Sequence, residues 1–229
     1  MQKPKYILTD IEGTTTSISF VTETLFPYFL ENLEDIIQFL DKPEVIQAFE
    51  ETIRMALDLD NQIIRTNDEI MAKLREWCEA DRKITPLKTL QGILWDVGYK
   101  NGSLKGHVYP EVASKLKEWQ DAGIQLAVFS SGSVAAQKLI FGYSEAGDLT
   151  PYFSAYFDTN TGGKREKETY LKIASALGVD PSEILFLSDI IQELEAAKEA
   201  SCQTIQLVRP GTTPAWNSTA ENFDEITFN

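Results

Sequence analysis

Two carboxylates two residues apart, Asp10 and Glu12, stand directly after a short apolar run in Tyr6-Ile-Leu-Thr-Asp10-Ile-Glu12-Gly-Thr14. Apolar and β-branched residues running into a glycine turn read as a buried strand and its exit loop. In an open α/β sheet, loops at the carboxyl ends of strands border the ligand crevice. One acid placed there can ligate a hard cation or attack an electrophile, while the other moves a proton. A plain turn in which Asp10 accepts backbone amides would use the same residues. The rest of the chain must decide between the two.

Three later stretches carry matching chemistry. Ser130-Ser131-Gly-Ser133 closes the apolar run 124–129 and offers hydroxyls and amides beside a helix start, which suits a phosphate oxygen. Capping that helix would require only Ser133. Lys164 lies in Thr161-Gly-Gly-Lys164-Arg, where glycines let the backbone approach a ligand; Arg165, Lys167 and Lys172 read as solvated surface. Asp189 follows the apolar run 184–187, the same placement as Asp10. It could cap the next helix, and Glu193, four residues on, shares a helical face with it.

The elements that must position these groups follow from periodicity. From residue 110 helical and strand patterns alternate: helix 111–122, strand 124–129, helix 134–141, strand 153–157, helix 167–177, strand 184–187, helix 191–200 and strand 204–208. Such alternation builds a parallel sheet by right-handed crossovers. Residues 17–107 instead read as helical throughout. Val21 to Leu40 repeats at three- and four-residue steps with Pro27 as a kink, Val45 to Leu57 marks a second helix, Asn67 caps a third, and a fourth runs from Pro86 to a stop at Gly98. A glycine-rich link over 98–110 could bend as a hinge or line the site. The expected fold class is α/β: a Rossmann-type parallel-sheet core from residues 1–16 and 108–229, interrupted by an all-helical cap domain at 17–107.

Over 229 residues, 43% hydrophobic and 24% charged side chains describe a globular protein with a proper core. The net charge of −14 argues against nucleic acid or an anionic membrane as partner, so an anionic small substrate would need local positive charge. Cys78 and Cys202 fit no disulfide or metal-ligand spacing. With no apolar run of bilayer length and no leader pattern, the expected setting is reducing and cytoplasmic. No heptad seam is evident, and a monomer is expected.

Taken in order, D-I-E-G-T, S-S-G-S, a loop lysine and S-D-x-x-x-E, with a helical insertion after the first, resemble the haloacid dehalogenase-like (HAD) superfamily and its phosphatases. The run Asp10 to Val21, with Leu90-Gln-Gly-Ile-Leu-Trp95, Gly106-His-Val-Tyr109 and the stretch Phe129 to Gly142, is similar to the enolase-phosphatase (acireductone synthase) family of methionine salvage. The resemblance implies a Mg²⁺-dependent enzyme that enolises 2,3-diketo-5-methylthiopentyl-1-phosphate and then removes its phosphate, generally as a monomer. It implies that Asp10 is the nucleophile and a metal ligand, that Glu12 and Asp189 complete the metal site, and that Ser130 and Ser131 hold the phosphate. Lys164 would neutralise charge on the nucleophile and phosphoryl group. Glu12 departs from the aspartate usual in the superfamily's phosphatases: it would contribute to the metal site through its backbone carbonyl or its carboxylate, and its side chain is the candidate acid that protonates the leaving oxygen.

Other readings are another capped phosphatase acting on a small phosphate ester, a phospho-accepting receiver-like module, a silent binding protein, and a dehalogenase. The helical insertion argues against the receiver, the full set Asp10, Lys164 and Asp189 against a silent protein, and the extra carboxylates against a dehalogenase. His107, the only histidine, is an alternative base for enolisation; beside a glycine-rich link its expected role is structural.

Overall fold

The computed structural model describes residues 2–228. The chain divides into two compact units, one of residues up to Ile18 together with those from Lys105 onward, the other Ser19–Leu104.

The chain opens with β1 (Tyr6–Thr9), and α1 (Ile18–Phe20) follows its exit loop. In the helical unit a π-helical turn over Val21–Leu25 runs into α2 (Phe26–Glu31), and a 3₁₀ segment spans Leu33–Phe39. The stretch 21–40 is therefore several short helices rather than one with a kink. Leu25 and Phe26 both keep right-handed helical geometry, so the change from π to α turns falls directly before Pro27, and Asn32 leaves helical geometry with its side chain bonded to the Tyr28 carbonyl at 2.8 Å. Val21, Leu25, Phe29, Leu33 and Ile36 are nonetheless all buried. Steps of three and four residues keep one face inward through π, α and 3₁₀ turns alike, so periodicity could not distinguish them.

The longer helices are α3 (Pro43–Asp60), α4 (Asn67–Glu79) and α5 (Thr85–Asn101), packed around Phe29, Phe49, Leu74, Trp77, Leu90 and Leu94. Each fully buried side chain of this size contributes roughly 1.5–3 kcal/mol of burial. The cap of α4 is Thr66, one residue before the expected Asn67. Its hydroxyl accepts from Glu69 N, and the Glu69 carboxylate accepts from Thr66 N at 3.0 Å. This reciprocal box leaves Asn67 as the first helical residue. Gly98 does not end α5. A Cβ there would come within 2.7 Å of the Tyr28 ring and 2.8 Å of Leu104, so its glycine serves close packing, and Gly102 at φ +83° makes the stop.

The other unit continues with α6 (Val112–Asp121), β2 (Gln125–Phe129), α7 (Val134–Gly142), β3 (Phe153–Phe157), α8 (Lys167–Leu177), β4 (Ile184–Ser188), α9 (Ile191–Glu199), β5 (Gln203–Leu207) and β6 (Thr219–Ala220). The sheet is parallel throughout in the order β3-β2-β1-β4-β5-β6. The short β6, beyond the last expected strand, extends its edge. On one face Leu8, Ala127, Phe129 and Phe186 pack against Tyr170, Ile173, Leu194 and Ala197 of α8 and α9. The chain leaves β1 for β2 on one side and later reaches β4 on the other, so β1 marks the topological switch point. Register aligns Thr9 with Val128 and with Leu187, which places Asp10 at the carboxyl edge between the ends of β2 and β4.

Candidate active site

Asp10 follows the last residue of β1, and its N–H donates to the Leu187 carbonyl at 2.9 Å. Its loop is wound tightly: the N–H groups of Thr14, Thr15 and Thr16 all return to the Ile11 carbonyl, and Gly13 N–H bonds Thr16. Gly13 sits at φ +71°, and a Cβ there would run into the Asp189 carboxylate. Only glycine satisfies both the left-handed turn and that approach. The loop thereby brings the main chain beside Glu12 against Asp189. Glu12 itself is half-buried.

Lys164 reaches Asp10 from the loop before α8. Its Nζ is 2.7 Å from Asp10 Oδ1 and 2.7 Å from Glu193 Oε2, with all three side chains at most 10% exposed. Asp10 Oδ1 also accepts from Ile11 N–H at 2.7 Å. Two residues hold this triad in place: the Tyr170 hydroxyl donates to the Lys164 carbonyl at 2.7 Å, and Ser188 Oγ donates to Glu193 at 2.9 Å. Burial alone would lower the lysine pKa, but the two carboxylates outweigh it and hold the ammonium charged.

Negative charge is in excess. Around one ammonium stand Asp10, Glu193 and Asp189. Burial, and then the charge of Asp10, push Asp189 up to about 7, and the same two causes raise Glu193 to about 7. Asp189 Oδ1 is buried with no hydrogen-bond partner. An orphaned carboxylate oxygen among too many acids is the environment that a hard divalent cation relieves. Among the described residues no three acidic, histidine or cysteine side chains are grouped so that they could hold a metal ion by themselves. Magnesium keeps several waters and is commonly bound through one or two carboxylates, and Asp10 and Asp189 are the acids here that could hold it.

The serine loop after β2 is bonded to itself. Ser130 Oγ accepts from Gly132 N–H at 3.2 Å, Ser133 caps α7 through Ala136 N–H, and the buried Asp158 accepts from Val134 N–H. Ser133 is thus the cap, as its position suggested. The amides of Val134 and Ala136 at the start of α7 are occupied, while Ser130 is buried and Ser131 half-buried. His107 is a strut for the far end of the Asp10 loop: its Nδ1 accepts from Ser17 N–H at 3.2 Å and lies 2.8 Å from Thr16 Oγ1. An N–H can only donate, so Nδ1 carries the lone pair and is engaged by the loop.

A model of the haloacid dehalogenase-like hydrolases matches residues 4–201. The chain is 51% identical over 209 residues to enolase-phosphatase E1 of a Picosynechococcus species, spanning 91% of both chains. Enolase-phosphatase E1 of Pseudomonas fluorescens is 49% identical over 223 residues, 97% of this chain and 96% of its own. The crystal structure of the UTR4 protein of Saccharomyces cerevisiae superposes with a TM-score of 0.81 at 35% identity, over 98% of this chain and 100% of that one. This chain belongs to the enolase-phosphatase E1 family of the haloacid dehalogenase-like hydrolases.

Asp10, Glu12, Ser130, Ser131, Lys164 and Asp189 all lie in one unit, and Lys164 is in direct contact with both Asp10 and Glu193; the stretch Leu90 to Trp95, on which the resemblance was also read, lies in the helical unit. Sequence reading gave Glu193 only a supporting part beside Asp189, whereas its bond is to Lys164. It also passed over Tyr170, Asp158 and Arg209. Arg209 had a legible signal: a charge shortly after the buried end of β5, the placement that singled out Asp10 and Asp189.

Proposed function

We propose that this enzyme enolises 2,3-diketo-5-methylthiopentyl-1-phosphate and then hydrolyses its phosphate ester, yielding the acireductone and inorganic phosphate. The reading is carried by the Lys164 bridge to Asp10 at the sheet's carboxyl edge, in a chain about half identical to enolase-phosphatases over nearly its whole length.

Both contacts of Asp10 fall on Oδ1, so Oδ2 is the oxygen that attacks phosphorus. The phosphorus–ester oxygen bond breaks, the leaving oxygen takes a proton from Glu12, and water then cleaves the aspartyl-phosphate, returning Asp10. Lys164 offsets charge gathering on the phosphoryl oxygens, and the Ser130 and Ser131 hydroxyls orient them. Asp10, Asp189 and a main-chain oxygen of the Glu12 turn would hold Mg²⁺, which would supply positive charge to the phosphoryl group and to the carbonyl beside the enolising carbon. Glu12, one methylene longer than aspartate, reaches the proton of that carbon as well as the leaving oxygen. His107 is left to its structural bonds. We assign the reaction to residues 1–16 and 108–229, with 17–107 as cap, in a cytoplasmic monomer. No helix among the described residues is long and apolar enough to cross a membrane.

The deciding experiment is anaerobic turnover of a 2,3-diketo-1-phosphate, following enol absorbance and phosphate together, with Mg²⁺ and with chelator. Enol preceding phosphate, both requiring Mg²⁺, with Asp10→Asn losing only the release of phosphate, is the expected result. Phosphate from simple esters with no enol from the diketone would sink the substrate assignment and leave a phosphatase.

A further inference from the structure

Arg209 lies two residues beyond β5 and is 5% exposed. Its Nε and Nη2 both donate to one acceptor, the Thr14 carbonyl, at 3.1 and 2.8 Å. Nη2 also meets Glu111 Oε1 at 2.7 Å, Nη1 donates to the Glu221 carbonyl at 3.2 Å, and the guanidinium stacks 3.9 Å from the centre of the Tyr109 ring. One side chain therefore joins the Asp10 loop, the segment 109–111 and the C-terminal stretch around Glu221.

The direction of the fork is informative. An arginine retained only to pair Glu111 would face that carboxylate with two parallel N–H groups. Here the fork is spent on a main-chain oxygen two residues after Glu12 and next to Gly13. The N–H groups of Thr14 to Thr16 turn inward on Ile11, while the carbonyls of Thr14 and Thr15 are received from outside, by Arg209 and by Tyr109 N–H at 3.0 Å. Gly13, the neighbour of Thr14, lies against the Asp189 carboxylate, so Arg209 grips the Asp10 loop at the point where that loop meets Asp189.

We propose that Arg209 is a positioning residue for phosphoryl transfer, a clamp on the Thr14 carbonyl that sets the Glu12–Gly13 turn and hence the register of Asp10 against Asp189. This rests on the reading of Asp10 and Asp189 as the reacting and ion-holding groups. Glu111, Glu221 and Tyr109 anchor the clamp from behind.

The test compares Arg209→Lys and Arg209→Met with Phe223→Leu, which loosens the same C-terminal packing but leaves every donor of the arginine intact. Kinetics on the diketo phosphate, the half-activating Mg²⁺ concentration, and Mg²⁺-induced thermal shifts are measured alongside circular dichroism. Both arginine variants should lose about 10- to 100-fold in kcat, need more Mg²⁺, and change KM little, whereas Phe223→Leu loses melting temperature and keeps kcat. Lysine cannot supply the fork, so Arg209→Lys decides the matter should the methionine variant fail to fold. Wild-type kcat and Mg²⁺ response in Arg209→Lys, or an equal kcat loss in Phe223→Leu, would overturn the clamp. If the wild type itself releases no phosphate, the site reading fails on its own. Hydrogen exchange then judges the clamp: faster exchange at the Thr14 to Thr16 amides in Arg209→Lys supports it, and unchanged exchange refutes it.

Discussion

Two buried lysines, each set between two carboxylates, have opposite consequences. Lys73 in the helical unit is 2% exposed and meets Asp60 at 3.5 Å and Glu76 at 2.7 Å, but those acids are 23% and 60% exposed. Asp60 also bonds Trp77 Nε1 at 2.8 Å and Arg82 at 2.9 Å. Those two hydrogen bonds hold its carboxyl below the usual range. Around Lys164 the acids are buried with the lysine, a third acid adjoins them, and two of the three are pushed up to about 7. The first cluster is balanced, Lys73 and Arg82 against Asp60 and Glu76, with solvent at its edge. The second is buried and short of positive charge, which is what the proposed reading, a cation and a phosphate bound there, would relieve. A lysine between two acids is thus structural or reactive according to where the acids sit, a distinction that no count of ion pairs shows.

The sharpest way to break this contrast is to remove each ammonium. Lys164→Met should lower kcat roughly 10²–10³-fold, since charge on the transferring phosphoryl group loses its partner. Lys73→Met should leave kcat untouched and move the melting temperature by about 2–4 °C or less. Equal effects on turnover in the two variants would dissolve the comparison.

Next in size is Glu193→Gln, which keeps the volume and removes the charge. Lys164 then has one carboxylate to hold it, and kcat should fall about 10- to 100-fold. The same variant carries a pH signature. Glu193 binds its proton more tightly in the folded protein, at about 7, than in the unfolded chain, where a glutamate titrates near ~4.3. Its contribution is fully present below the unfolded value and is lost as pH rises through 7. Metal-free wild-type protein should therefore lose stability between about pH 4 and 7. Glu193→Gln should lack its share of that decline while Asp189 keeps its own; thermal unfolding across pH checks both.

A smaller effect belongs to the helical unit alone. Thr66→Ala opens the capping box of α4 and should cost about 1 kcal/mol in denaturant unfolding with no change in kcat. The smallest concerns the thiols, one in each unit. Burial pushes Cys202 up to about 12 and raises Cys78 as well. Neither should react with iodoacetamide at neutral pH until the protein is unfolded, and mass spectrometry would reveal a labelled native chain at once.

The parallel core was legible because its signals are local. Short, largely apolar runs of four to six residues ending in polar loops gave β1, β2, β3 and β4, and β3 and α8 lie at the expected residues. The helical unit was legible as helices but not in their kinds or ends. Gly98 reads as a stop in sequence and is a packing contact in three dimensions, because Tyr28, seventy residues away, fills the space its side chain would need.

By itself, then, the sequence determined the order of the elements and the four strand-end motifs, since both depend on neighbours in the chain: hydrophobic period, turn chemistry and helix stops. From those motifs came the family and the groups able to act. Only the tertiary structure decided their partners. That Glu193 holds Lys164 rather than Asp189, that Tyr170 fixes the lysine's loop, that Nδ1 of His107 serves the Asp10 loop, and that Arg209 grips Thr14 across 195 residues are matters of close approach. Burial then set the charge states, because desolvation and a neighbour's field act through space and leave no spacing along the chain to read.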